Sequence, residues 1–561
     1  MPIPTAEENG RCSGRNACAA TRVNRARARS VVNSRARAEP GSAAGMPNQA
    51  IRSGCLDTRS SGLLMSSASL SNPAEGRPNS RRQRSPSSPS SAAVRCDVAP
   101  IGRERRPVGV GEHSAPRPYQ PGDNPEMDSG NTAFVLVCAA LVMLMTPGLA
   151  FFYAGMVRAR SALNMMMMSM VTLGVVGLIW VLVGFSLAFG DSHTGLIGGF
   201  DFVGLRVPGV VVGKGIPLAA FAMFELMFAI ITAALLSGAI ADRARFWSWT
   251  VFIALWTVGV YVPLAHWIFA LDGFSGAHGG WLANRLGVLD FAGGTAVEVN
   301  SGMSALALAL VLGRRWGWPS EPMRPHNLPA TLLGAGLLWF GWYGFNAGSA
   351  LAAGAVAANA FLTTTVAPAA AVLAWLVVEH RLDGRPSSLG AASAAVSGLV
   401  GITPACGYVD TFGAIVIGLA CGVVCQLAIR LKYRLGYDDS LDVVAIHGVG
   451  GAVGLLLTGL FATTAVNSAG ANGLFYGGGG GQLGRQAVGV LVAAGYAFVV
   501  TFGLAWLVRA TMGFRVAPEV EAEGIDEAEH AESAYEFSPL TTTGRGTVLP
   551  SRPVTHEESA T

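Results

Sequence analysis

Four ionisable residues stand at one spacing in two apolar stretches of this chain. The first stretch, LDFAGGTAVEVNSG, carries Asp290 and, eight positions on, Glu298; the second, DDSLDVVAIHGVGG, carries Asp439 and, eight positions on, His447. An ionisable group inside a bilayer costs about 2.5–3.5 kcal/mol on insertion scales, so its default reading is functional. A matched pair in two halves of a chain is what a transporter built from an internal repeat would present. The pattern points to a permeation path in which Glu298 and His447 handle protons. A lone membrane histidine is usually an interhelical hydrogen bonder, but two ionisable groups at equivalent positions favour the functional reading. Asp290 and Asp439 fall near expected helix N-termini, where a carboxylate accepts backbone N–H groups and complements the dipole. Capping is much of their expected role, and Asp290 would also bias a nearby cation through its charge.

A second cluster is aromatic: Phe228 in FELMFAIIT, Trp267 and Phe269 in AHWIFA, and Trp342 and Phe345 in GWYGFNAGS. Singly, such residues are interface anchors or packing. Together they could hold a small cation over their faces, at about 0.5–2 kcal/mol each, and Ser349 adds a hydroxyl acceptor. The run Met165–Met168 reads as a flexible apolar helix face, and Gly477–Gly481 lacks the GK[ST] of a phosphate loop. Cys421 and Cys425, one helical turn apart, lack the further ligands of a zinc site and read as packing residues. No metal and no cofactor is expected.

Membrane-spanning helices must position these residues. With 51% hydrophobic and 13% charged residues and a mean hydropathy of +0.43, the chain is too apolar for a soluble protein of 561 residues. Its 72 glycines lie mostly in apolar runs, where small residues let helices approach in lipid. Apolar runs predict eleven transmembrane helices near 131–154, 162–189, 216–240, 247–270, 288–313, 327–348, 351–378, 388–405, 410–431, 442–463 and 485–509. Arg and Lys mark alternate loops (Arg158 and Arg160, Arg243 and Arg245, Arg314 and Arg315, Arg381 and Arg385, Lys432 and Arg434). The excess of positive charge on cytoplasmic loops then places the N-terminus outside and the C-terminus inside. FFYAG (Phe151–Gly155) at the end of the first helix echoes YGFNAG (Tyr343–Gly348) at the end of the sixth. The fold class is therefore an all-α membrane protein with an inverted five-helix repeat and an eleventh helix outside it.

Residues 1–126 are of another kind, rich in Arg, Ser and Pro with no apolar periodicity, and are expected to be a disordered basic tail. MDSGNTAFVLVCAALVML reads as a natural beginning, so the functional chain is expected to start at Met127; a basic arm for anionic lipid or nucleic acid is the alternative. No conventional signal peptide is visible. The helical domain then spans 127–511, and 512–561 is an acidic tail.

At this level of detail DFAGGTAVEVNSG (Asp290–Gly302), WYGFNAGSA (Trp342–Ala350), TPACGY (Thr403–Tyr408) and the His447-Gly448 motif resemble the ammonium transporter (Amt/Mep/Rh) family, in its bacterial Amt form. The resemblance runs in order from about Asn131 to Tyr535. It implies an ammonium transmembrane transporter of the cell membrane, a homotrimer whose subunits each hold a narrow hydrophobic pore. By the same resemblance Ser349 and Phe269, the latter at a position often held by tryptophan, form an outer ammonium recruitment site shaped by Asp290, with Trp342 and Asn346 beside it. Phe228 and Phe345 match the stacked phenylalanines that close the vestibule. His447 matches the second of the family's paired histidines, while Glu298 replaces the first, as in some fungal members. A buried carboxylate beside His447 should make a coupled pair that shares charge and proton. GFRVAPEVEAEGIDEAEHAESAYEF (Gly513–Phe537) resembles the cytoplasmic tail that couples subunits and meets the nitrogen-regulatory P-II protein. Expected partners are thus ammonium or ammonia, further copies of the chain, membrane lipid and a P-II protein, and not nucleic acid.

Ammonium uptake, with NH3 and H+ both reaching the cytoplasm, is the leading expectation. A passive NH3 channel differs only in whether charge moves, and an ammonium sensor signalling through the tail is the rival. An intramembrane enzyme built on Glu298 and His447 lacks an evident nucleophile or complete metal site.

Overall fold

The computed structural model describes residues 126–535. The reading of the basic N-terminal tail therefore falls outside the described residues, apart from Glu126.

Apolar runs become helices because a chain in lipid must satisfy its backbone hydrogen bonds internally. In chain order these are α1 (Ser129–Met156), α2 (Ala159–Phe189), α3 (Leu218–Ile240), α4 (Phe246–Phe269), α5 (Gly294–Leu312), α6 (Leu328–Gly348), α7 (Ala355–Asp383), α8 (Ser388–Ile402), α9 (Thr411–Leu435), α10 (Val444–Phe461) and α11 (Gly481–Met512). Among the described residues nine of them are long and apolar enough to cross a membrane. The other two are α6, which carries polar and glycine positions along its 21 residues, and α8, apolar but 15 residues long. Two short helices follow in the tail, α12 (Pro518–Glu523) and α13 (Ile525–His530). The single sheet described is a two-residue hairpin rung, β1 (Val211–Val212) against β2 (Ile216–Pro217), in the connection before α3.

Helices α5 and α10 begin later than hydropathy alone predicts, at Gly294 rather than 288 and at Val444 rather than 442. The cause is local. Asp290 and Asp439 hold the preceding turns out of the helix by accepting hydrogen bonds from its first N–H groups. Just before each start the backbone turns left-handed, at Gly293 (φ 127°) and Asp442 (φ 64°). Both helices then open with six residues of wide, π-helical turn, Gly294–Val299 and Val444–Val449. Such turns are rare and concentrate at functional sites.

Small residues set how closely helices cross. A Cβ on Gly344 of α6 would lie 2.6 Å from the carbonyl oxygen of Cys138 in α1, and one on Gly148 of α1 would lie 3.0 Å from Leu337 Cβ. In the same way α5 crosses α10 at Gly302, where a side chain would overlap the backbone of Gly448. The pairs α1/α6 and α5/α10 are those that a five-helix repeat would make equivalent.

The connections that carry Arg158, Asp242, Arg315 and Asp438 meet at one end of the bundle. Buried Arg315 pairs with Asp438 at 2.9 Å and Asp242 at 3.3 Å, and Arg158 reaches Asp242 at 3.5 Å. The described part of the tail, up to residue 535, folds back onto this end. Asp526 accepts from the N–H groups of Leu163 and Asn164, where α2 becomes α-helical after its 3-10 opening turn at Ala159–Ser161, and Glu529 accepts from Phe246 N–H at the start of α4. Carboxylates at helix N-termini complement both orphan donors and dipole.

Candidate functional site

Where α5 crosses α10, the glycine contact leaves Glu298 and His447 facing each other. Glu298 Oε2 and His447 Nδ1 lie 2.7 Å apart, with Glu298 wholly buried and His447 nearly so. Both side chains sit in these matching wide turns, Glu298 as the fifth residue of α5 and His447 as the fourth of α10. Glu298 Oε1 is buried without a hydrogen-bond partner among the described residues, so the carboxylate keeps acceptor capacity.

This pair lines a slot of about 10 Å³, with walls that include Met145, Leu149, Ile231, Val297 and Val396. That is about the volume a single water centre needs, and nearly all of the wall is apolar. On the other side of a partition lies an open cavity of about 630 Å³, lined by residues that include Phe228, Phe269, Asp290 and Ser349. The partition is aromatic. Phe228 faces the large cavity, Phe345 faces the slot, and their rings stack at 4.1 Å and 28°.

Phe269, the last residue of α4, lies edge-on to Phe228 at 6.4 Å between centroids and 76°. Ser349 follows the last turn of α6 and donates its hydroxyl to the Phe345 carbonyl at 2.8 Å, which leaves the oxygen lone pairs as acceptors. Asp290 reaches the cavity wall, but four hydrogen bonds, from Gly293, Gly294 and twice from Thr295, occupy its carboxylate. It shapes the site by fixing the start of α5.

One expected member of the outer site lies elsewhere. Trp342 lines the slot rather than the large cavity. It precedes Ser349 by seven residues, which puts it about 10 Å deeper along α6 at 1.5 Å per residue. Its Nε1 donates to Thr403 Oγ1 at 2.8 Å, so the TPACGY segment holds the indole in place. Asn346, wholly buried, donates to Thr364 Oγ1 at 2.9 Å and ties α6 to α7. Asp439 lies far from the aromatic partition in sequence and accepts from Val444 N–H at 2.7 Å, while Lys432 holds its carbonyl at 3.0 Å. Cys421 and Cys425 pack against the carbonyls of Gly450 and Ile446 in α10.

Sequence reasoning passed over Glu225. It stands one turn before Phe228 in FELMF, is buried, and lines the large cavity. The signal was available, since a carboxylate within an apolar helix is itself a functional marker.

The model of the Ammonium Transporter Family matches residues 133–535. An ammonium transporter of Mycobacterium tuberculosis is 53% identical over 455 residues, covering 77% of this chain and 94% of that protein. One of Bacillus subtilis is 44% identical over 416 residues, covering 73% of this chain and the whole of that protein. Among solved structures, Saccharomyces cerevisiae Mep2 superposes with a TM-score of 0.64 at 36% identity over 70% of this chain and 92% of that one. A protein described as a sensor Amt protein gives 0.66 at 30% identity over 72% and 98%. With its apolar helices the chain is a multi-pass protein of the cell membrane. It belongs to the ammonium transporter family.

Proposed function

We propose that this protein takes up ammonium by recruiting NH4+ in the large cavity and passing it, deprotonated, through the slot. The observation that carries this reading is the Glu298–His447 hydrogen bond of 2.7 Å lining an apolar slot behind two stacked phenylalanines. In the outer cavity Phe269 offers an aromatic face and Ser349 a hydroxyl acceptor, each within reach of a small cation's chemistry. An apolar passage one water wide does not solvate NH4+. The ion therefore gives up a proton as an N–H bond breaks, NH3 moves along the slot, and the proton is taken by the Glu298–His447 pair. A carboxylate and an imidazole in direct contact titrate as one unit, so the proton belongs to the pair.

This reading takes α6 and α8 as crossing helices beside the nine long apolar ones, giving eleven spans in an inverted five-helix repeat. The arginine-bearing end, with the tail, then faces the cytoplasm. Homotrimeric assembly and engagement of a P-II protein by the tail follow from family membership and are part of the proposal.

Ammonium-pulse currents from purified protein in planar membranes test it. Glu298→Gln keeps shape and hydrogen bonding but removes the titratable charge, so current should fall sharply or change its pH dependence. Glu298→His should retain current with a shifted pH profile. Wild-type current from Glu298→Gln at every pH would make Glu298 a structural hydrogen bonder. A second reading, ammonium sensing, is favoured by the tail's hold near the starts of α2 and α4 and by the likeness to a sensor Amt protein. In that reading the tail signals and transport is incidental, so a variant that has lost its ammonium current should still signal.

A further inference from the structure

Helix α3 brings a carboxylate to the large cavity that no other part of the described chain pairs. Glu225 precedes Phe228 by three residues, which sets both on one helix face. It is 7% exposed, lines the cavity with Phe228, Phe269 and Ser349, and its buried Oε2 has no hydrogen-bond partner among the described residues. Leaving a buried carboxylate unpaired destabilises a fold, so its place at this cavity calls for a ligand that repays it.

The other charged groups in the cavity wall are already engaged. Asp290 spends both oxygens on the start of α5. Lys214 donates to the Ala350 carbonyl, and Arg485 to Gln482 Oε1. Neither cation is hydrogen-bonded to Glu225. The aromatic faces of Phe228 and Phe269 attract positive charge but offer no lone pair along an N–H bond. Free lone pairs come from Ser349 Oγ and from Glu225.

We infer that Glu225 is the anionic member of the outer site, accepting hydrogen bonds from a small ammonium ion that the phenylalanine faces cover. The ligand class is an ion with several N–H donors, ammonium or methylammonium: such an ion can donate to both the carboxylate and the hydroxyl, as water can, but only a cation is also drawn to the faces of Phe228 and Phe269. The inference rests on the ammonium reading above.

Ammonium-evoked currents across a concentration series, from wild type, Glu225→Gln and Glu225→Asp in liposomes, test it together with the melting temperature of each variant. Glu225→Gln should raise the half-saturating ammonium concentration about 10- to 100-fold, the worth of a hydrogen bond to a charged group. Maximal current should persist, and the melting temperature should hold or rise because a neutral amide replaces an unpaired buried carboxyl group. Glu225→Asp keeps the charge and should shift half-saturation less; if the glutamine variant does not fold, that intermediate shift is the supporting result. Unchanged half-saturation in whichever variant folds overturns the inference while leaving the transport reading intact. A melting temperature lowered in Glu225→Gln with half-saturation unchanged assigns Glu225 to structure and also overturns it. A wild type without ammonium current removes the transport reading, and the inference with it.

Discussion

Replacing Gly451 by alanine should separate the proton-handling pair without touching either member. Gly451 lies in the first helical turn after the wide turn of α10, against α5. A Cβ placed there would lie 2.6 Å from Glu298 Cβ and 3.2 Å from Val299 N. Carbon atoms pack at about 3.5–4.0 Å, so α10 must move away from Glu298 by about 1 Å. Lengthened by that much, the 2.7 Å bond between Glu298 Oε2 and His447 Nδ1 passes the ~3.2 Å limit of an effective hydrogen bond. Overpacking of this kind costs about 1–3 kcal/mol, and loss of a hydrogen bond to a charged group adds about 1.5–3 kcal/mol. A lower melting temperature and a reduced ammonium current with altered pH dependence are expected together. Gly495→Ala in α11 is the control, since nothing lies within 4 Å of its added methyl, and a helical Gly→Ala change there is expected to be neutral or to gain about 0.5–1 kcal/mol. Wild-type melting and wild-type current in Gly451→Ala would refute the claim that glycine contacts at the α5/α10 crossing hold the pair.

Three further outcomes follow from the ends of the bundle. Ser349→Ala should weaken apparent ammonium affinity by no more than the ~1–3 kcal/mol of an unmatched polar partner, and Phe269→Ala should weaken it as well; concentration dependence unchanged in both would remove them from the outer site. At the arginine-bearing end, Arg315→Met strips Asp438 of its buried partner and should destabilise by about 3–5 kcal/mol, read as loss of melting temperature; a variant as stable as wild type would mean that Arg243 and backbone donors suffice. Burial alone would raise the Asp438 carboxyl, but hydrogen bonds from Arg315 and the charges of Arg243 and Arg315 outweigh it and hold it below the usual carboxylate range. A depressed carboxylate stabilises the fold above its unfolded value, about 3.9, and that contribution is lost as pH falls through the lower folded value. Acid titration should therefore leave this network intact at pH 5 and weaken it only below about 4.

Period and spacing determined much of this protein before any contact was known. A bilayer admits helices whose apolar length can be read residue by residue, so the places of α1 to α11 were legible to within a few positions. The eight-residue interval from Asp290 to Glu298 and from Asp439 to His447 was legible as well, because capping and depth are local properties of one segment. What remained hidden were the meetings between segments. No local pattern says that Gly302 passes Gly448 closely enough to bring Glu298 onto His447, which lie 149 residues apart. Nor does one say that Phe228 and Phe345 divide a large cavity from a slot. Depth also decided Trp342, which composition alone groups with Ser349 but which two helical turns carry to the far side of the aromatic partition. Glu225 belongs to both levels. Its charge in an apolar helix could be read directly from the sequence, whereas its unpaired oxygen at the cavity wall exists only once α3 is packed among its neighbours.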